Sequence, residues 1–312
     1  MLNNKKKIMG MVLLSVFSIA QAEVLVILPE SGPMERAGNS IKQGFMAAYQ
    51  ASQSNLPLRF VNETTITPEQ LLKMHINDKT QLIIGPLSRQ NVEAMVTAAP
   101  KIKVLALNDA SVQHPLVWQF SLSKQEDALA LKQLMHRDGI KSLYILRETG
   151  QQREYALLIE HLSSMLDLPI DIQEQAPKSL DEKQGVLILG NSAWLNRFSD
   201  LKTPYFYTVP NAVEIGKPLP LHIKFCDTPA LYEKVWLDIL QITEQQKLSA
   251  PFQRLLAFGG DAWQITETYL KNGNKETVQF QGRTGQLTLT QQDIQRLPHC
   301  YIHQADGIRW IQ

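Results

Sequence analysis

Short, continuously apolar runs that stop at turn residues and alternate with helix-patterned stretches constrain this chain most. Residues 23–28 (EVLVIL) end at Pro29-Glu30-Ser31-Gly32-Pro33, as strands buried on both faces do, with the proline and glycine cluster supplying the turn. Residues 34–53 place Ile41, Phe45 and Ala48 at helical spacing, and residues 58–62 read as a second strand. Thr67-Pro68-Glu69-Gln70 is a capping box with proline at the first helical position. Strands at 81–84 and 103–107 bracket a helix that Ser88 is placed to cap. Strand and helix taking turns in this way imply right-handed crossovers and a parallel sheet.

A second alternation follows. Ser123 to Glu126 forms another capping box opening a helix to about residue 137, and strands are expected at 141–146, 169–173, 185–189, 205–208 and 222–225. Helices are expected at 151–166, 193–198, 230–247 and 251–272, the last interrupted or kinked at Gly259-Gly260. The tail, residues 278–311, changes to short β segments with Gly282, Gly285, Asp306 and Gly307 at turns. Two βα halves predict a two-lobed α/β protein with a cleft between mainly parallel sheets. The segments just after each strand line such a cleft: Ser31 and Gly32, residues 85–88, Asn108 and Asp109, Arg147 and Glu148, and residues 190–192.

Lys5, Lys6 and Lys7 precede an apolar run over residues 8–20 and then Ala20-Gln21-Ala22, a secretory signal with cleavage expected before Glu23. The run is shorter than the roughly 20 apolar residues that span a bilayer. No cysteine lies beside the cleavage point, so a free periplasmic protein without stable membrane insertion is expected. Losing the three lysines takes the formal charge from +1 to −2, which removes a global electrostatic case for nucleic acid. Cys226 and Cys300 are the only cysteines. In an oxidising compartment they either bridge or remain two buried thiols.

Ser121-Leu122-Ser123-Lys124 matches the S-x-x-K serine-acylase pattern, but no S-D-N or K-T-G partner follows in order, and Ser123 reads better as a cap. His299, Cys300 and His303 cluster locally, yet in a strand the cysteine points away from both histidines. The Asp181-Glu182 and Glu126-Asp127 pairs read as solvated helix-end charges. No catalytic residue, metal or cofactor is therefore expected. Residues 85–88 at a strand-to-helix junction offer backbone N–H groups to a carboxylate, with Arg89 adjacent, or are simply capped by Ser88.

Leu28-Pro29-Glu30-Ser31-Gly32 and residues 41–49 (IKQGFMAAY) resemble the opening of type I periplasmic-binding-protein folds. Gly-Phe-Met-Ala-Ala-Tyr, Leu82-Ile83-Ile84-Gly85-Pro86-Leu87, residues 105–108, 118–123, Phe258-Gly259 with Asp261-Ala262-Trp263, and residues 280–287 are similar in order and spacing to the LpoA/LppC family, lipoproteins that activate class A penicillin-binding proteins. The resemblance implies an N-lobe of residues 23–120 plus 252–280 and a C-lobe of 121–251 plus 281–312, after a 1–22 signal peptide. Three crossings are implied, near 119–123, 251 and 281–286. It also implies a non-enzymatic partner of a peptidoglycan synthase, without the family's lipid-anchored cysteine and amino-terminal helical-repeat domain. The alternative is a receptor for a small polar or amino-acid-like solute, with Ser31, Gly32, Ser88, Arg89, Asn108 and Asp261 as ligand-binding candidates.

Overall fold

The computed structural model describes residues 22–273 and 277–311, so the expected signal peptide lies outside the described residues. The chain runs β1 (Glu23–Leu28), α1 (Glu35–Ala51), β2 (Leu58–Asn62), α2 (Pro68–Met74), β3 (Thr80–Ile84), α3 (Arg89–Thr97), β4 (Lys103–Ala106) and β5 (Val117–Gln119). These strands form one parallel sheet in the order β2-β1-β3-β4-β5. α4 (Lys124–Asp138) then leads to β6 (Ser142–Arg147), α5 (Gln152–Met165), β7 (Ile170–Gln173), β8 (Gln184–Leu189), α6 (Ser192–Asn196), β9 (Phe206–Thr208) and β10 (Lys224–Asp227). After α7 (Leu237–Gln245) and α8 (Ala250–Asn272) come β11 (Val278–Gln281), β12 (Gln286–Leu289), β13 (Ile294–Leu297), β14 (His299–Gln304) and β15 (Gly307–Ile311).

The second sheet has the order β15-β14-β10-β9-β8-β6-β7, parallel except for β14 and β15, while β11, β12 and β13 make a separate antiparallel meander. Both large sheets carry helices, so their strands are apolar on both faces, as the uninterrupted runs require. Leu25, Ile27 and Ile83 pack under α2 and α3, whereas Val24, Val26 and Ile84 pack under α1 and α8. The expected α/β fold with parallel sheets flanked by helices is what the chain adopts.

Three local expectations change. The helix expected over 230–247 begins only at Leu237, because Tyr232 and Glu233 are drawn off to the second sheet: the Tyr232 hydroxyl donates to Asp227, and Glu233 accepts from the Tyr301 hydroxyl. Leu287, Leu289 and Ile294 of the meander enter the core of the first sheet, so on these contacts we place the last crossing at Pro298 instead of 281–286. Finally, α8 runs through Gly259-Gly260 without a break.

Gly260 leaves room for the Arg283 side chain, whereas Gly259, like Gly44 of α1, serves contact between helices. A Cβ on Gly259 would lie 2.0 Å from the Ile41 carbonyl oxygen of α1, and one on Gly44 would lie 1.8 Å from the Leu256 carbonyl oxygen of α8. Each helix thus presses a hydrogen-only face against the other's backbone, which cannot move aside as a side chain can. Gly44→Ala and Gly259→Ala should each cost about 3 kcal/mol through overpacking. Urea unfolding of the variants checks this, and a loss below about 0.5 kcal/mol, the range of a neutral surface change, would contradict it.

Candidate functional site

The carboxyl ends of the first sheet's strands gather five of the six candidate residues, and each is engaged by the chain itself. Ser31 Oγ shares a 2.6 Å hydrogen bond with Thr64 Oγ1 and accepts from Asn62 Nδ2 at 3.2 Å. Gly32 turns the chain at φ +77°, and its carbonyl accepts the Glu35 N–H. Ser88 caps α3 by accepting from the Asn91 N–H. Arg89 pairs along the exposed helix face with Glu93 at 3.3 Å. Asn108 donates to the Leu87 carbonyl and accepts from the Asp109 N–H, both at 2.9 Å.

The N–H groups at the start of α3 do meet a carboxylate, and it belongs to Glu63. Its two oxygens accept from the Leu87 and Ser88 N–H groups at 2.8 Å and from Asn91 Nδ2 at 2.9 Å, in a residue only 4 % exposed. A helix N-terminus has unpaired donors and a partial positive charge, so a buried acid there is neutralised and hydrogen-bonded at once. The second sheet has a partly exposed counterpart with a single backbone donor. After β8, the position that corresponds to β3, Glu148 from the end of β6 accepts the Asn191 N–H at 3.0 Å and Asn191 Nδ2 at 3.1 Å, while Asn191 caps α6. Sequence reasoning marked Glu148 as a cleft residue but missed Glu63. Its signal was an acid directly after a strand, and its partner becomes visible only when the order β2-β1-β3 is known.

Asp261 lies apart, fully buried on α8. It accepts from the Arg283 N–H at 2.7 Å, the Thr284 N–H at 2.8 Å and the Thr284 hydroxyl at 2.6 Å. Burial raises its pKa despite the Arg283 guanidinium 3.5 Å away. Arg283 in turn reaches Asp238 at 2.5 Å, so this aspartate belongs to a closed network holding the turn between β11 and β12.

Two further arginines join the two sheet units. Arg296 of β13 gives its N–H to Glu126 Oε1 at 2.8 Å and its guanidinium to Glu126 and Asp127 at 2.9 and 3.1 Å. Arg254 of α8 grips both oxygens of Asp227 on β10 at 2.7 Å and donates to the Pro210 carbonyl. The expected box at Ser123 is therefore half made: Ser123 accepts from the Glu126 N–H, but the Glu126 carboxylate turns to Arg296.

Ser121 donates to Asp109 Oδ2 at 2.6 Å, and Lys124 pairs with Asp127 at 3.7 Å. The lysine is thus not directed at the serine, as S-x-x-K chemistry requires. His299 bonds Glu233 and Gln281 and stacks on Trp310, while His303 faces the Pro220 carbonyl. Cys226 and Cys300 sit directly opposite in the β10–β14 ladder and are bridged.

Residues 5–154 match the family described as "LppC putative lipoprotein". Over that part the chain is similar to the LppC family. Among curated relatives, the penicillin-binding protein activator LpoA of Pasteurella multocida is 24 % identical over 92 % of the chain and 54 % of its own length. The chain thus spans about half the length of the curated relatives it matches. Among solved structures, the LpoA C-domain of Haemophilus influenzae, a regulator of PBP1A, superposes with a TM-score of 0.76 at 17 % identity, covering 93 % of this chain and all of that one. A solute-binding protein of R. palustris in complex with 4-hydroxybenzoate shares the fold more loosely, with a TM-score of 0.54 at 13 % identity over 93 % and 96 % of the two chains. At these identities the superpositions establish the fold, that of the type I periplasmic binding proteins.

Glu63→Ala should destabilise the chain by about 3 kcal/mol, because buried donors lose a charged acceptor; denaturant unfolding reads this, and a neutral outcome would show that the contact is dispensable. Burial raises Glu126 to about 6 from 4.5, outweighing Arg296. The folded chain then holds the proton that the unfolded chain releases between those values. Its contribution is therefore fully present below pH 4.5 and is lost as pH rises through 6, a swing of about 2 kcal/mol at most. Comparing unfolding of the wild type and Glu126→Gln from below pH 4.5 up to pH 7 should show that swing removed in the variant.

Proposed function

We propose that this chain is a non-enzymatic periplasmic regulator of peptidoglycan synthesis that binds a class A penicillin-binding protein and acts by contact. The observation that carries this reading is that the chain's own carboxylates, Glu63 and Glu148, take the N–H groups of the N-cap residues Ser88 and Asn191, and Glu63 that of Leu87 as well. A receptor for an amino-acid-like solute needs such donors free to take the ligand's carboxylate. It also needs Ser31, Ser88, Asn108 and Asp261 unspent, and each is engaged within the chain. The bridges from Arg296 and Arg254 fasten one sheet unit to the other, which suits a fixed recognition surface better than lobes that close on a solute.

The names of the relatives and the family match support the same reading. Mechanistically, a protein that binds one conformation of a synthase more tightly than its alternatives raises that population and with it the turnover, with no chemistry of its own. Among the described residues no helix is long and apolar enough to cross a membrane.

Purified chain added to a purified class A synthase should form a complex and raise glycan polymerisation or peptide crosslinking several-fold, while the chain alone leaves the lipid-linked precursor unchanged. Absence of a complex, or turnover of the precursor by the chain itself, would overturn the proposal.

A further inference from the structure

β7 closes the seven-stranded sheet at the end opposite β15 and pairs only with β6. The Leu143 N–H donates to the Pro169 carbonyl at 2.9 Å, and Leu143 and Ile145 stand opposite Ile170 and Ile172. In a parallel ladder of that register Asp171 and Gln173 make the bonds to β6, so Ile170 and Ile172 turn their N–H and C=O groups outward. Among the described residues no backbone or side-chain group bonds these outward groups. Asp171, Ile172 and Gln173 are exposed, and Ile172 keeps 38 % of its surface in solvent.

An open cavity of about 550 Å³ lies at the carboxyl end of this edge, with Arg147, Glu174 and Lys178 as its charged lining. Arg147 ends β6. Its Nε is buried and donates to nothing, and its guanidinium pairs with no acid among the described residues. A buried donor without an acceptor is rare and marks a missing partner. Lys178, exposed on the loop after β7, has no carboxylate beside it either. The two oxygens of Glu174 are taken by the Thr149 hydroxyl at 2.8 Å and by Gln152 Nε2 at 3.3 Å. Of the neighbouring acids, Glu148 is held by Asn191, and Asp171 accepts from Gln173 Nε2 at 2.9 Å. Two cations thus face one carboxylate in the cavity, and neither cation is paired.

We propose that β7 receives an extended segment of a partner protein as an added strand, with an acidic side chain near the segment's end seated between Arg147 and Lys178. The outward groups of Ile170 and Ile172 supply main-chain hydrogen bonds that any sequence can make, and the carboxylate supplies the acceptor that Arg147 Nε lacks. Ile170 and Ile172 share one face of the strand, so the residues set beside them are apolar in alternation. A free amino acid makes no ladder and gains little from exposed charge alone, so this surface calls for a chain. A peptidoglycan synthase as the source of that chain rests on the function proposed above, while the edge's preference for an acidic strand does not.

The probe is a fluorescein-labelled peptide of alternating valine and threonine with a pair of glutamates at each end, so that either strand direction brings acid to Arg147. The wild type should bind it in an anisotropy titration, less tightly as salt rises. Arg147→Gln combined with Lys178→Gln should weaken binding at least tenfold, and so should lysines in place of the glutamates. Ile172→Pro removes an N–H that β6 does not use, which an edge strand tolerates, and should also cost at least tenfold. Melting curves confirm that the variants fold. If Ile172→Pro does not fold, the same peptide methylated on its backbone nitrogens replaces it, with the same loss expected. A peptide that ignores the wild type, or binds the charge variant or Ile172→Pro as tightly as the wild type, overturns the proposal. A wild-type dimer in sedimentation that Ile172→Pro makes monomeric overturns it in favour of two copies pairing edge to edge. Peptide binding of the expected pattern supports the edge whichever way capture of a purified class A synthase falls. Capture lost in the variants makes the synthase the source of the segment, capture unchanged assigns the edge to another partner, and no capture by the wild type overturns the regulator reading alone.

Discussion

A carboxylate buried against the first turn of a helix is the contact on which the functional account depends. Ionised acids are costly to remove from water, and Glu63 is kept inside because three N–H donors and the field of α3 meet it there. The same contact fixes the segment after β2 against the start of α3, and so shapes the end of the first sheet. Glu148 makes a partly exposed version of this contact before α6, through the Asn191 N–H and Nδ2. What resembles a solute-binding frame is closed by its own side chains.

The arginine bridges set the second constraint. Buried ion pairs seldom add much net stability, since desolvation offsets their attraction, but losing one partner strands a charge and costs several kcal/mol. Arg254 with Asp227 and Arg296 with Glu126 and Asp127 therefore act mainly on geometry. They specify how the core beneath α1 and α8 stands against the core beneath α4 and α5. Burial raises Glu126 even with Arg296 beside it, so the bridge is held near the balance between attraction and desolvation.

Much of the fold was legible because apolar runs and turn residues are local signals. The box at Thr67 and Gln70 and the cap at Ser88 appear where their spacing puts them. Failures occurred where a distant partner overrode a local preference. Gly259-Gly260 reads as a helix break until α1 is known to press on Gly259 and the Arg283 side chain on Gly260. Glu126 reads as half of a capping box until Arg296, 170 residues away, claims it. The site was legible in place but not in state: the strand ends were correctly expected to carry donors for an anion, whereas the anion's identity needed the order of strands in the sheet.

Isothermal titration calorimetry of the purified chain against free amino acids, aromatic acids and soluble wall fragments tests the closed-site claim most directly. The account predicts no heat of binding for any of them, since Leu87, Ser88 and Asn191 already have their acceptors. A saturable micromolar isotherm for one such carboxylate, with Glu63 unchanged, would contradict it.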